Sequence, residues 1–302
     1  MLGILIDAVL PVFIMAGIGV LVGKTLHLDP RPASRLALYV FSPILIFSSL
    51  YSAEIPFRDI RDIFFFLAIW VPLMYAVSWA IAWQIKLKTP GRAAFLLGTI
   101  FMNAVNYGLP VSLFAFGQDG LQRALLFLAP QAILSGTLAI YVASSGTAGG
   151  MKGIAAVLRI PTFYASIGAL ALNPFHIAMP ALIASPMKIM AGAAIPTMIM
   201  VLGIQLANVT IKDYLLPAVL ATVVRLALSP ALALGITMLL GVHGLTQQVI
   251  IVLAGMPTAV FTTILATEFD AQPRQVTNTV ALSTIASLVT ITSLIWLVER
   301  FL

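Results

Sequence analysis

The sequence predicts an all-α membrane protein of ten transmembrane helices, arranged as two inverted five-helix repeats. Three observations lead there: composition, the spacing of apolar runs, and a matched pair of Gly/Pro interruptions in the two halves. The 302 residues are 61% hydrophobic and 9% charged, with mean hydropathy +1.08. A soluble domain carries roughly 25% charged residues, so lipid must be the solvent over most of this surface. A helix needs about 20 apolar residues to cross a bilayer. Runs that meet this need lie near 3–23, 34–53, 63–85, 92–116, 122–145, 155–173, 186–209, 214–240, 245–267 and 274–298. The first run has neither a basic leader nor a clean cleavage site, so it is expected to be a retained span and not a signal peptide.

The joints between runs are short, and none could hold a soluble domain. The most linker-like stretch, Ser144-Ser145-Gly146-Thr147-Ala148-Gly149-Gly150, lies near the middle of the chain. It suggests a first repeat over 1–146, a short cytoplasmic linker over 147–154 and a second repeat over 155–302. Pro43 in span 2 is matched by Pro196 in span 7, each followed by a polar exit ending Arg58-Asp59 or Lys212-Asp213. Gly108-Leu109-Pro110 in span 4 is matched by Gly255-Met256-Pro257 in span 9 at nearly the same separation. An odd number of spans per half inserts the second half upside down. Paired Gly/Pro-interrupted spans in inverted halves point to a transporter's solute site.

Orientation follows from the basic residues. Ten of the Lys and Arg fall in the odd-numbered joints (Lys24, Arg31, Arg35, Lys86, Lys88, Arg92, Lys152, Arg159, Lys212 and Arg274). Five fall in the even joints and at the C-terminal end (Arg58, Arg61, Arg123, Lys188 and Arg300). The positive-inside rule then places the odd joints in the cytoplasm and both termini outside. The expected location is a cell inner membrane or plasma membrane. In this setting a formal charge of +6 reports orientation and does not suggest nucleic acid.

Chemistry concentrates in span 4, Phe101-Met102-Asn103-Ala104-Val105-Asn106-Tyr107-Gly108-Leu109-Pro110. Glycine loosens a helix, and proline removes a backbone donor and crowds the preceding turn. Backbone opens at membrane depth only where protein or a water-filled cavity satisfies it. An opened helix presents amides and a positive end toward an anion. Asn103 and Asn106, three apart, share a helical face and offer donors and acceptors for a carboxylate or polar solute. They could equally join two packed helices. In span 9, Thr258 adjoins Pro257 and is a candidate cavity-lining hydroxyl, whereas Thr262 and Thr263 could simply bond their own helix. Gln131 and Gln205 are further candidates. Among other intramembrane polar residues (Ser42, Ser48, Ser49, Ser135 and Asn208), most of the serines read as packing residues.

Arg225 is the basic residue placed within a span. Insertion scales put that cost at roughly 2.5–3.5 kcal/mol at the bilayer centre. Attraction of an anionic solute is one reading; a structural role, as a pin to helix carbonyls or a side chain that snorkels to the interface, is preferred to it. Acidic residues (Asp7, Glu54, Asp59, Asp62, Glu268 and Asp270) fall at span edges. Glu54 and Glu268 are candidates for a coupling role, although a solvated cap is the simpler reading of each.

The stretches Asn103…Gly108-Leu109-Pro110 and Gly255-Met256-Pro257-Thr258-Ala259-Val260 with Ala266-Thr267-Glu268-Phe269, together with Arg225-Leu226 and Pro230 in span 8, resemble the auxin efflux carrier family. That family includes bacterial organic-anion carriers and the plant PIN carriers. The resemblance implies a bacterial-type ten-helix carrier related in fold to the bile-acid sodium symporters. Broken helices 4 and 9 would cross at prolines, here Pro110 and Pro257, and Asn103 would match the carboxylate-binding asparagine. It further implies a scaffold of helices 1, 2, 6 and 7 and a transport domain of helices 3, 4, 5, 8, 9 and 10. The plant carriers' long cytoplasmic loop is lacking, so regulation through it is not expected.

The expected function is secondary transport of a small organic anion, such as a dicarboxylate or an auxin-like acid, by alternating access. The solute-binding set is Asn103, Asn106, Tyr107, Gly108, Pro110, Pro257, Thr258, Gln131 and Gln205. Partners are that anion and the bilayer, and a homodimer stays open. No cofactor or metal is expected. Coupling to sodium, protons or neither stays open, as do the direction of transport and a sensor or non-anionic carrier on the same fold. No phosphate-cradling loop is present. His27, His176 and His243 all fall at joints, which argues against an intramembrane enzyme. With no cysteine, disulfides and thiolate metal sites are excluded.

Overall fold

The structure is a computed structural model. It describes residues 1–54, 56–144, 161–175, 177, 179–207, 209 and 213–302. The mid-chain linker 147–154, Lys152, Arg159, His176, Asn208 and Lys212 lie outside the described residues, as does the side chain of Ser135. The described residues are helical apart from short joints and one isolated antiparallel bridge.

In chain order the helices are α1 (Leu2–Leu26), α2 (Pro30–Tyr51), α3 (Phe57–Gln84), α4 (Thr89–Ile100), α5 (Leu109–Ala143), α6 (Pro161–Leu172), α7 (Ala181–Leu206), α8 (Leu215–Leu239), α9 (Gly244–Ala254), α10 (Phe261–Glu268) and α11 (Pro273–Phe301). Six of them, α1, α2, α3, α7, α8 and α11, are long and apolar enough to cross a membrane. Their outward faces carry large apolar side chains, among them Leu182 (88% exposed), Leu239 (79%) and Ile189 (77%). Water would reject such a surface, whereas lipid accepts it. The chain is therefore a multi-pass membrane protein.

The other runs are interrupted or partly described. Run 92–116 is cut at Phe101–Asn103, and run 245–267 at Gly255–Val260. The joint expected between runs 4 and 5 falls at Gly117, where two helical stretches of α5, 109–116 and 118–143, meet at a non-helical backbone (φ 65°, ψ −159°); only glycine, without a Cβ, adopts it readily.

Prolines shape the long helices in a regular way. Four wide π turns occur among the described residues, over Leu5–Val9, Ala37–Phe41, Ala104–Gly108 and Val224–Leu228. Each ends two residues before a proline: Pro11, Pro43, Pro110 and Pro230. A proline ring crowds the carbonyl four residues back and donates no hydrogen bond there. The helix widens by one residue, and the N–H just before each proline reaches the carbonyl five residues back. Pro72, Pro130, Pro186 and Pro196 sit inside α-helices instead. Pro43 and Pro196 thus differ locally.

Packing forms two groups of neighbours. α1 lies against α7, and α2 against α6 and α7. α3, α4, α5, α8, α9 and α11 pack among themselves. The α1–α7 contact is backbone to backbone. A Cβ on Gly203 would overlap the Ala16 carbonyl, and one on Gly19 would come within 2.5 Å of the Met200 carbonyl oxygen. Small residues permit this approach, which replaces the hydrophobic drive that lipid cannot supply.

Candidate functional site

Two interrupted helices meet in the core. The Asn103 N–H donates to the Pro257 carbonyl (2.8 Å), and the Ala259 N–H donates to the Phe101 carbonyl (2.9 Å). These bonds make Met102 and Thr258 a two-residue antiparallel bridge between the breaks. Extended backbone is admissible at this depth only if each polar group finds a partner, and at the first break nearly all do.

The carbonyls at the end of α4 are taken one by one. Gly98 accepts from Thr258 Oγ1 (2.5 Å). Thr99 and Ile100 accept from Arg225 Nη1 (2.9 and 3.2 Å). Phe101 accepts from Ala259, and Met102 from Gln131 Nε2 (2.9 Å). At the second break the Ala254 carbonyl accepts from Ser229 Oγ (2.6 Å) and from Arg225 Nη2. The Thr258 N–H donates to Ser283 Oγ (3.1 Å).

Arg225 is wholly buried. Its guanidinium binds the carboxyl ends of α4 and α9 together, donates to Ser229 Oγ (2.6 Å) and lies 5.3 Å from the centre of the Trp70 ring. Its hydrogen-bond partners are carbonyls and one hydroxyl. A cation at two helix C-termini opposes the negative ends of both dipoles. Of the sequence-derived readings of Arg225, this geometry has the form of the pin.

Beyond the first break the helix restarts at Ala104, with Asn103 as its N-cap. Asn103 is buried, and its Oδ1 accepts from the Asn106 N–H (3.3 Å). Its Nδ2 is buried and has no hydrogen-bond partner in the protein. Asn106 is half-buried. Tyr107 is buried, its ring edge-on to Phe13, with its hydroxyl accepting from Ser287 Oγ (3.2 Å). A Cβ on Gly108 would come within 2.8 Å of Leu253 on α9, so this glycine lets the restarted helix approach α9. Beside Tyr107 a cavity of about 290 Å³ opens between α1, α7 and α11, lined by Val12, Phe13, Leu202 and Thr284 among others.

The two prolines expected to mark the crossing play different parts. Pro257 lies in the second break, and its carbonyl closes the bridge. Pro110 lies seven residues after Asn103, inside continuous helix. The expectation that span 4 opens at Gly108-Leu109-Pro110 is corrected: it opens at Phe101–Asn103, because the π turn absorbs the proline. Gln131 reaches the bridge, whereas Gln205 lies on α7 with its Nε2 3.5 Å from Ser34 Oγ on α2. Glu54 and Glu268 are exposed. Thr262 and Thr263 bond back to their own turn.

Sequence reasoning passed over Ser229, Ser283 and Trp70. Ser229 precedes a proline and sits four residues after Arg225, a spacing that shares a helical face and was available as a signal. It also left Asp59 and Asp62 as edge residues. Both are buried at the start of α3, where Arg123 pairs with Asp59 (3.1 Å) and Arg61 with Asp62 (2.8 Å).

Residues 151–295 match the family described as membrane transport protein. The chain is 27% identical over 272 residues to an uncharacterized transporter of Methanothermobacter thermautotrophicus, covering 87% of each chain. It is 26% identical over 216 residues to an uncharacterized transporter of Methanocaldococcus jannaschii, covering 70% of each. A membrane transport domain is thus matched in the second half of the chain, and two archaeal transporters align along most of its length.

Proposed function

We propose that this transporter is a secondary carrier of a small organic anion, bound where the two broken helices cross. The observation that carries the reading is the buried Asn103 Nδ2, a donor without a protein acceptor at the start of a helix. A buried unpaired donor costs about 1–3 kcal/mol, and a carboxylate oxygen would satisfy it. The positive end of the restarted helix favours the same charge. The neighbouring cavity, with Tyr107 on its wall, offers room for the rest of the solute.

The arrangement we favour has ten spans in two inverted repeats, with spans 4 and 9 interrupted. α1, α2, α6 and α7 form the scaffold, and the remaining helices move against them in alternating access. The packing groups support this division, and the cavity lies between them, lined from α1 and α7 on one side and from Tyr107 and α11 on the other. By the positive-inside rule we place both termini outside a cell inner or plasma membrane. A carrier of this kind performs no bond chemistry, so we read the protein as a transporter and not an enzyme.

The test is a thermal-shift screen of purified protein against small carboxylates, with and without sodium, at two pH values. A ligand that binds only the folded state raises the melting temperature with concentration. The expected result is a carboxylate hit whose apparent affinity falls about tenfold or more in Asn103→Ala, the worth of one hydrogen bond to a charged group. An affinity unchanged in a folded Asn103→Ala protein removes this residue from the site.

A further inference from the structure

A second pocket lies away from the crossing, at the junction of α3, α4 and α5. It has a volume of about 140 Å³ and is lined by Tyr75, Trp79, Thr89, Arg92 and Tyr141 among others. Arg92 stands over the Trp79 ring, 5.7 Å from its centre, which holds the guanidinium against the wall. Nη2 makes one long hydrogen bond, 3.4 Å to the Leu87 carbonyl. Its Nε is buried and has no acceptor in the protein. The pocket thus brings together a fixed cation with an unused donor, two tyrosines and the positive end of the twelve-residue α4.

Its surroundings suit the level of the lipid head groups. Trp79, Trp83 and Tyr141 are 42%, 61% and 44% exposed, and such rings gather at the level of lipid head groups. The turn from α3 into α4 adds Lys86 and Lys88, both exposed. Arginine matches phosphate oxygens with its planar fork of donors. Basic pockets between transmembrane helices at the cytoplasmic interface suit anionic lipid head groups.

We propose that this pocket binds the phosphate of an anionic lipid head group, with Arg92 as the principal donor and the Tyr75 and Tyr141 hydroxyls completing the site. The acyl chains then run out over the exposed faces of Trp79 and Trp83. The site is independent of the solute site and of the transport reading.

The test uses the full chain purified in neutral detergent. It is titrated separately with phosphatidylglycerol, phosphatidylcholine and inorganic phosphate, and melting temperature and native mass are read. The expected result is a concentration-dependent rise with phosphatidylglycerol and none with phosphatidylcholine. Arg92→Gln should weaken that affinity about tenfold or more, the worth of one charged hydrogen bond. Tyr141→Phe keeps the ring and should weaken it about threefold, as a neutral bond would; it carries the test if Arg92→Gln does not fold. Arg300 also stands over a tryptophan, 5.5 Å from the Trp296 ring centre, so Arg300→Gln is the matched control and should change nothing. A rise with inorganic phosphate alone, lost in Arg92→Gln, supports the phosphate site and makes its source a free anion. Phosphatidylglycerol affinity unchanged in Arg92→Gln and Tyr141→Phe, equal loss in Arg300→Gln, or no response to any phosphate overturns the proposal.

Discussion

Replacing Arg225 with methionine keeps a long side chain and removes every donor. In the structure that guanidinium serves the Thr99, Ile100 and Ala254 carbonyls at the ends of α4 and α9. At about 1–3 kcal/mol per orphaned buried acceptor, losing three costs about 3–9 kcal/mol. Removing a cation from low dielectric returns several kcal/mol, as for other buried charges. Ser229 also keeps its own bond to Ala254 (2.6 Å), so one of the three carbonyls is not left bare. The net loss expected is about 2–4 kcal/mol, the range in which breaking a buried polar network falls. Arg225→Lys should recover only part of it, because one ammonium point charge cannot span the carbonyls that the planar fork reaches. The assay is thermal unfolding in detergent, read alongside solute affinity of the folded fraction. Arg225 has no exposed surface, so the melting point should fall while affinity per folded molecule changes little. A methionine variant as stable as the wild type, or one with normal stability and lost affinity, would refute the pin.

Thr258→Ala removes the 2.5 Å bond to the Gly98 carbonyl and should cost about 1–3 kcal/mol, seen as a lower melting temperature; Thr263→Ala, whose bond is local, should cost under about 0.5 kcal/mol. Pro110→Ala restores a backbone donor and lets the π turn over Ala104–Gly108 tighten toward α-helix. Melting temperature should hold or rise while solute transport in vesicles falls, and unchanged transport would show that the wide turn has no part in placing Asn103 and Asn106. Gly203→Val drives a side chain into the Ala16 carbonyl and should cost about 3 kcal/mol, the upper range for overpacking, measured by thermal unfolding; an unchanged melting point would mean that α1 and α7 do not pack as described.

Much of this was determined by sequence alone, because bilayer thickness and backbone hydrogen bonding act on composition and run length. Apolar runs long enough to span, the polar pair Asn103 and Asn106 within one of them, and the interruption at Gly255-Met256-Pro257 could all be read from one chain. Proline chemistry was legible as to kind and misleading as to place. Pro110 announced a disturbed helix, yet a π turn absorbs it, and the break falls at Phe101-Met102-Asn103, where no residue is a helix breaker. That break was decided by tertiary structure. Leaving the helix strands the carbonyls from Gly98 to Met102, and their partners Thr258, Arg225, Ala259 and Gln131 come from two other helices and the opposite break. Arg225 shows the same division. Its burial was expected from its place in an apolar run, but its two clients are the ends of α4 and α9, which only the folded chain brings together. A local sequence states which backbone groups can be orphaned. Which distant side chains satisfy them depends on packing, since a hydrogen bond reaches about 3 Å and carries no record of separation along the chain.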